Sequence, residues 1–376
     1  MPLSRRALIL AAGVAVLVIA SAIGAFFLLG RRAVQPQIAT LVFAEFGPGA
    51  DHIFTAPATD PARRTQVMTI EHADGWGISA APRAARDLVA FQVLPPTARG
   101  QADTPAELWI LDVRAKTKRL LASDADLRVA PVLSPDGTSV LYRSSTAGGT
   151  QAIVRVDVSA GSRRVVHTVD TTFGVFPIGI GADSAVLFAS LGLGGTDIYR
   201  LADGKPPALL RHASDQIARD WRLSPDGRLL SYLAPEIHAE RVVHRAHVID
   251  VASGTPQATI ESAPPQPAEQ YSPVWTPDSR AITVGREPLL DSRAGTITLA
   301  LDGKPARALA APERGFDAPL AWSADGGYLA ATTFSGASSA EPGTESIVVL
   351  SLNGGRYVVS GSGEITVLGW VAGLGG

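Results

Sequence analysis

The sequence contains no cysteine. Disulfides and thiolate metal sites are therefore excluded, and so is a lipid-modified N-terminal cysteine. The absence does not fix the compartment, because disulfides are permitted outside the cytoplasm but not required there. Charge is also sparse: charged residues make up 18% of the 376, and the formal net charge is −2. No acid precedes residue 38, whereas Arg5, Arg6, Arg31 and Arg32 all fall in that stretch. Setting those four aside leaves 29 basic against 35 acidic residues, or about −6. A nucleic-acid binder would show a basic patch or stripe, and none is present. The seven histidines are scattered. His244 and His247 lie an odd number of residues apart, which on a strand sends them to opposite faces, so they do not suggest a metal pair.

Chemistry with a recognisable local signature is missing too. A serine hydrolase of the nucleophile-elbow type needs Gly-x-Ser-x-Gly on a strand-to-helix turn. Gly336 and Ser338 lie in a Ser/Ala-rich loop, and Gly361-Ser-Gly363 reads as a tight turn. Leu191 to Gly195 lacks the Lys-Ser/Thr of a phosphate loop, and Asp124 with Asp126 is too few for a calcium loop. No catalytic residue and no metal ligand is assigned.

One long apolar run is present. Residues 7–30 carry no charged side chain, and that length crosses a hydrocarbon core of about 30 Å as a helix. A secretory signal has a shorter apolar core. Ala20-Ser21-Ala22 would serve as a cleavage site, but the run continues through Phe26 to Leu29. The expectation is one transmembrane anchor at 7–30, with a cleaved signal as the alternative. Residues 1–6 would then be cytoplasmic, 31–37 a linker and 38–376 the folded domain. The flanking arginines nearly balance; export of a β-rich domain after a lone signal-like segment favours N-terminus inside.

Gly (37) and Pro (27) are abundant, as many short strands joined by many turns require. One pattern recurs: an apolar or Trp residue, Ser/Thr, Pro/Ala, Asp, Gly/Ser, then an apolar strand. It occurs at Leu133 to Gly137, Leu223 to Gly227, Trp275 to Ser279 and Trp322 to Gly326, with a weaker copy at Ile180 to Ser184. Ala81 to Arg86 is a degenerate copy. Asp136, Asp183, Asp226, Asp278 and Asp325 are spaced 47, 43, 52 and 47 residues apart. Proline presets φ, Asp bonds the local backbone and Gly closes the turn, so these aspartates are expected to be structural. Four strands in each repeat of about 40–50 residues is the pattern of a propeller blade.

These Ser-Pro-Asp-Gly turns resemble the repeats of the TolB-type β-propeller family, a WD-like repeat architecture, and those of the propeller domains of prolyl oligopeptidases. The resemblance covers nearly everything after residue 38. It implies an all-β propeller of four-stranded antiparallel blades. The count of inner strands gives seven, with six the common number among TolB relatives. Trp370 lies 48 residues after Trp322, in register with the repeat, and the chain ends shortly afterwards. The strands at 40–44, 52–55 and 66–70 lack a fourth partner. The expectation is that 365–370 docks on 40–44 and closes the ring.

Short turns fall on one face of such a ring. The long connections fall on the other: Pro95 to Ala106, Ala234 to Glu240, Arg286 to Ala294, Ser335 to Ser346, Arg211 to Arg219 and Ser262 to Gln270. Loops longer than a connection needs are where function resides. A binding surface is therefore expected on that interblade-loop face, with Trp76, Asp126, Phe176, Asp220, Trp221, Tyr271 and Asp317 entering the channel. The alternative for the aromatics is that they cap the core between blades. The functional expectation is a protein-, peptide- or glycan-binding scaffold on the outer side of the cytoplasmic membrane, with no nucleic-acid partner. The rivals are a channel-centred hydrolase or lyase and a purely structural spacer. No cofactor is specified by the residues; family analogy alone admits calcium in the channel.

Overall fold

A computed structural model describes residues 39–99, 104–145, 149–169, 173–238, 241–259, 268–288, 293–302 and 309–373. The segments 1–6, 7–30 and 31–37, with the expected anchor, lie outside the described residues, as does residue 38. Among the described residues there is no helix, and so none long and apolar enough to cross a membrane.

The strands follow one another as short antiparallel meanders. The first is β1 (Thr40–Glu45), β2 (Ala50–Pro57) and β3 (Thr65–Glu71), and the second is β4 (Ala84–Ala85), β5 (Leu88–Val93), β6 (Ala106–Asp112) and β7 (Thr117–Ala125). Next come β8 (Val132–Leu133), β9 (Ser139–Ser145), β10 (Gln151–Asp157) and β11 (Arg163–Val169). They are followed by β12 (Val175–Ile180), β13 (Val186–Gly192), β14 (Gly195–Leu201) and β15 (Ala208–Ser214). Then β16 (Arg219–Leu223), β17 (Leu229–His238), β18 (Arg241–Asp250) and β19 (Pro256–Thr259) precede β20 (Gln270–Trp275), β21 (Ala281–Arg286), β22 (Arg293–Ala294) and β23 (Ile297–Ala300). The last full meander is β24 (Gly315–Trp322), β25 (Tyr328–Phe334), β26 (Glu345–Ser351) and β27 (Arg356–Val359), and β28 (Ile365–Val371) ends the series.

Within a meander each strand pairs with its neighbour in sequence. β7 and β9 share a single residue pair, Ala125 with Ser144, which links two meanders at a corner. β22 departs from the pattern, pairing in parallel with β24, while β23 pairs with β21. Residues 303–308, between β23 and β24, lie outside the described residues.

The chain ends meet as expected. β28 pairs antiparallel with β1, from Thr40 opposite Val371 to Glu45 opposite Ile365. That pairing gives the orphan meander its fourth strand and covers the inner edge of β1. Gly369 makes the approach to the next meander possible. Its φ is +136°, and a Cβ there would lie 2.5 Å from the Ala84 amide nitrogen.

The core lies between successive meanders. Phe91, Tyr142, Phe188 and Tyr232 occupy the second strands of four consecutive meanders and are almost fully buried. Each such burial is worth about 1.5–3 kcal/mol. Two expectations shift. Ala234 to Glu240 was expected as a loop, but β17 runs to His238 and pairs with β18 out to His238 opposite Arg241; cross-strand bonding continues the hairpin through Pro235. The inner strand counted for the degenerate repeat copy is reduced to one bridge, Ser79 to Gln92, and the two-residue β4, which starts at Ala84.

Candidate functional site

The repeat turns are built alike. Asp136 accepts the Ser134 hydroxyl at 2.6 Å and the Thr138 amide at 3.1 Å. Asp226 accepts Ser224 at 2.6 Å and the Arg228 amide at 3.2 Å. Asp278 takes Thr276 at 2.7 Å and the Arg280 amide at 3.1 Å, and Asp325 takes Ser323 at 2.6 Å and the Gly327 amide at 3.0 Å. Asp183, whose repeat has Gly181 in place of the Ser or Thr two residues earlier, accepts only the Ala185 amide at 3.2 Å and the Arg200 guanidinium. Each turn also touches its neighbours. The Asp226 amide donates to Ser279 Oγ at 3.1 Å, and the Ala182 amide donates to the Gly227 carbonyl at 3.1 Å.

The inner strands surround a cavity of about 640 Å³. Its wall takes residues from every meander, from Arg83 and Arg128 through Phe176, Arg222, Trp275 and Trp322 to Trp370. The wall extends to Pro135, Pro225, Pro277 and Ala324, which belong to the short turns. Three indoles tie neighbouring meanders together around it. Trp275 donates to the Arg222 carbonyl at 2.8 Å, Trp322 to Thr283 Oγ1 at 3.0 Å and Trp370 to the Ala321 carbonyl at 2.9 Å.

The seven expected channel residues separate into two groups. Phe176, Asp220 and Trp221 line the cavity. Arg143 lies over the Phe176 ring, 5.1 Å from its centre, and Trp221 stacks on Tyr232 at 5.3 Å. The other four are not in the cavity wall. Asp126 is buried and bonds Arg128 and Arg143, each at 2.8 Å. Burial would raise its carboxyl, but the Arg128 bonds and the Arg143 charge outweigh that and hold it below its ordinary value. Asp317 is fully buried, with Arg356 forking onto it at 2.8 and 3.0 Å and Thr333 donating at 2.7 Å. Tyr271 stacks on Phe316 at 4.8 Å, and burial pushes its hydroxyl up to about 12. Trp76 packs against the core around Ala73 and Leu94.

Two cavity residues escaped the sequence reading. Arg83 sits in the degenerate repeat copy, and Arg222 next to Trp221. No carboxylate among the described residues pairs with either guanidinium; Arg222 bonds the Trp221 carbonyl at 3.2 Å. Burial and the nearby Arg222 charge push Arg83 down to about 10. Burial also lowers Arg222, against the opposing pull of Asp220. An arginine on or just before an inner strand was the available signal, but which residues would face it was not readable from one repeat. Asp220 is the single carboxylate of this wall, and no group of three or more His, Cys, Asp or Glu gathers among the described residues. The channel calcium admitted by analogy would therefore meet arginines, and the wall does not fit a divalent cation. His244 bonds Glu269 at 2.8 Å while His247 faces Glu236 at 3.1 Å, in separate places as their spacing required.

No family model matches the chain, and no curated protein does either. Solved structures do. An oligogalacturonate lyase in complex with manganese is similar at TM-score 0.55 and 12% identity, covering 86% of this chain and 84% of that one. The β-propeller domain of the trilobed protease from Pyrococcus furiosus is similar at TM-score 0.53 and 10% identity, covering 86% of this chain and 95% of that one. That domain is described as having an open velcro topology, whereas here β28 and β1 are joined. TolB from Acinetobacter baumannii is similar at TM-score 0.47 and 17% identity, covering 75% of this chain and 67% of that one. The fold is a β-propeller, as the TolB-like turns implied.

Proposed function

We propose that this chain is a seven-bladed propeller held at the cytoplasmic membrane by residues 7–30, with the propeller outside, binding a protein, peptide or glycan partner on its interblade-loop face. The count rests on the meanders starting at β4, β8, β12, β16, β20 and β24, with β28 and β1 to β3 as the seventh. One observation favours the binding role above the rest. Leu193, in the β13–β14 turn, is 93% exposed. Phe173 and Ile217, in the links before β12 and β16, are exposed as well, and so are Ile237 and Val242 flanking the β17–β18 turn. All five lie in or at the ends of connections on the same face of two successive blades, Ile237 and Val242 as the paired residues near the tip of the β17–β18 hairpin. Exposed apolar side chains grouped in this way mark interaction surfaces.

The test uses the full chain in its membrane. A photoreactive phenylalanine analogue is placed at Leu193 or Ile237, and at Asp203 on the opposite face as the control. Adducts of defined mass from the first two positions and none from 203 are expected. Adducts from 203 alone, or equally from all three, overturn the loop-face assignment. Alkaline extraction that releases the chain from membranes overturns the anchor.

A further inference from the structure

We propose that the channel is a site for a small organic acid, its carboxylate held between Arg83 and Arg222 and its apolar body resting against Trp221, Trp275 and Trp322. This goes beyond the loop-face reading and does not depend on it.

Both guanidiniums line one cavity, from segments that precede β4 and lie within β16. Neither has a carboxylate partner among the described residues. Elsewhere this protein pairs its enclosed arginines: Arg143 with Asp126 and Arg356 with Asp317. Two like charges placed together, neither in ion-pair contact with a carboxylate, cost stability, and burial with mutual repulsion already lowers Arg83. An anion supplied from outside removes that cost. The planar fork of a guanidinium matches the two oxygens of a carboxylate. Asp220 compensates the repulsion only in part: its charge pulls on Arg222, but it forms no ion pair with either guanidinium. It lies in the same wall, but its carboxylate is 4.0 Å from Arg219, which points toward Glu269 at 3.2 Å.

The rest of the wall determines the body of the ligand. A cavity of about 640 Å³ falls within the usual range of about 300–1,000 Å³ for small-molecule sites. Beyond its arginines and Asp220, the wall is alanine, proline, valine, isoleucine, leucine, phenylalanine and tryptophan. It offers no side-chain hydroxyl or amide. A sugar acid would leave its hydroxyls unsatisfied there, at a cost of about 1–3 kcal/mol each. Inorganic phosphate would engage the arginines but leave the indole surface uncovered. A carboxylate on an aliphatic or aromatic ring satisfies both parts.

The experiment titrates the full chain in detergent, followed by calorimetry and by tryptophan fluorescence. The probes are cyclohexanecarboxylate, its neutral amide and inorganic phosphate. The carboxylate should bind saturably, and the amide about tenfold more weakly or worse, as loss of a charged hydrogen bond implies. Arg83→Gln and Arg222→Gln should each weaken the carboxylate by about tenfold, and Arg63→Gln, far out in the β2–β3 turn, should not. Arg83→Gln should leave the melting temperature equal or higher, because it relieves repulsion; this separates lost binding from lost folding. Equal binding of acid and amide overturns the anion site while leaving an apolar channel ligand. Phosphate binding as tight as the carboxylate, with the same arginine dependence, overturns the organic acid. No binding by any probe overturns the proposal whole, and the loop-face reading is tested separately by its crosslinks.

Discussion

Trp275 donates its indole N–H to the carbonyl of Arg222 at 2.8 Å, joining β20 to β16 beside the cavity. The bond holds the backbone of the residue whose guanidinium lines the channel. Trp275 is 5% exposed, so losing the donor leaves a carbonyl short of a partner and the smaller ring leaves a gap. Trp275→Phe should lower stability by about 2 kcal/mol, read as a shift in the urea midpoint. A variant as stable as the parent would mean that the indole bond does not tie the blades.

Asp317 and Arg356 pose a different problem. Their two bonds join β24, an inner strand, to β27, the outermost strand of the same meander. Removing one partner of a buried pair costs about 3–5 kcal/mol, whereas replacing both with apolar residues is often neutral. Asp317→Leu alone should therefore unfold at markedly lower temperature, and Asp317→Leu with Arg356→Met should recover most of the loss. Calorimetric melting of the three proteins decides it; a double variant no better than the single would show that the pair is not coupled.

The same residue shows where sequence reasoning ran out. Asp126, Asp220 and Asp317 all lie at or just before inner strands, and the sequence offered nothing to separate them. Their fates depend on Arg143 and Arg356, which sit on other strands of the blade and whose reach a repeat pattern does not encode. Asp136, Asp226, Asp278 and Asp325 were legible because their partners lie within two residues. Ring closure was legible because three N-terminal strands lacked a fourth and the chain ended on one. Arg83 was hidden in a repeat copy that has lost its aspartate, and it faces a residue well over a hundred positions away.

Ser184 sits at φ +66°, in the position occupied by Gly137, Gly227 and Gly326 at +72°, +71° and +68°. A side chain in the left-handed region costs about 1–2 kcal/mol, against roughly 0.5–1 kcal/mol for the greater freedom glycine loses on folding. Ser184→Gly should stabilise the protein by about 0.5 kcal/mol on that difference. Gly227→Ala should do the reverse by more than about 1 kcal/mol, since its Cβ would lie 2.6 Å from the Ala182 amide nitrogen. Chemical denaturation of both measures the signs, and a stabilised Gly227→Ala would contradict the inter-turn contact.

Acid should act on these turns and on Asp126 together. The Ser134 hydroxyl and the Thr138 amide hold Asp136 below the ordinary 3.8, and the Thr276 hydroxyl does the same for Asp278 despite some burial. Asp126 is held low by Arg128 and Arg143 against the opposing effect of burial. A carboxyl whose folded pKa lies below its unfolded one contributes its full stability above the unfolded value and loses it as pH falls through the folded value. Stability should thus be flat with respect to these groups near neutral pH and fall steeply below about pH 4. Asp136 and Asp278 are exposed, so solvent screens each one and the effect accumulates over turns rather than residing in any of them. Asp126 is enclosed, and its protonation strips Arg143, which is itself buried, of its counterion. Asp126→Asn should therefore destabilise at pH 7 and flatten the acid limb more than Asp136→Asn with Asp278→Asn. Urea midpoints measured from pH 7 to pH 2 test this, and an acid limb of unchanged steepness in Asp126→Asn would place the proton uptake elsewhere.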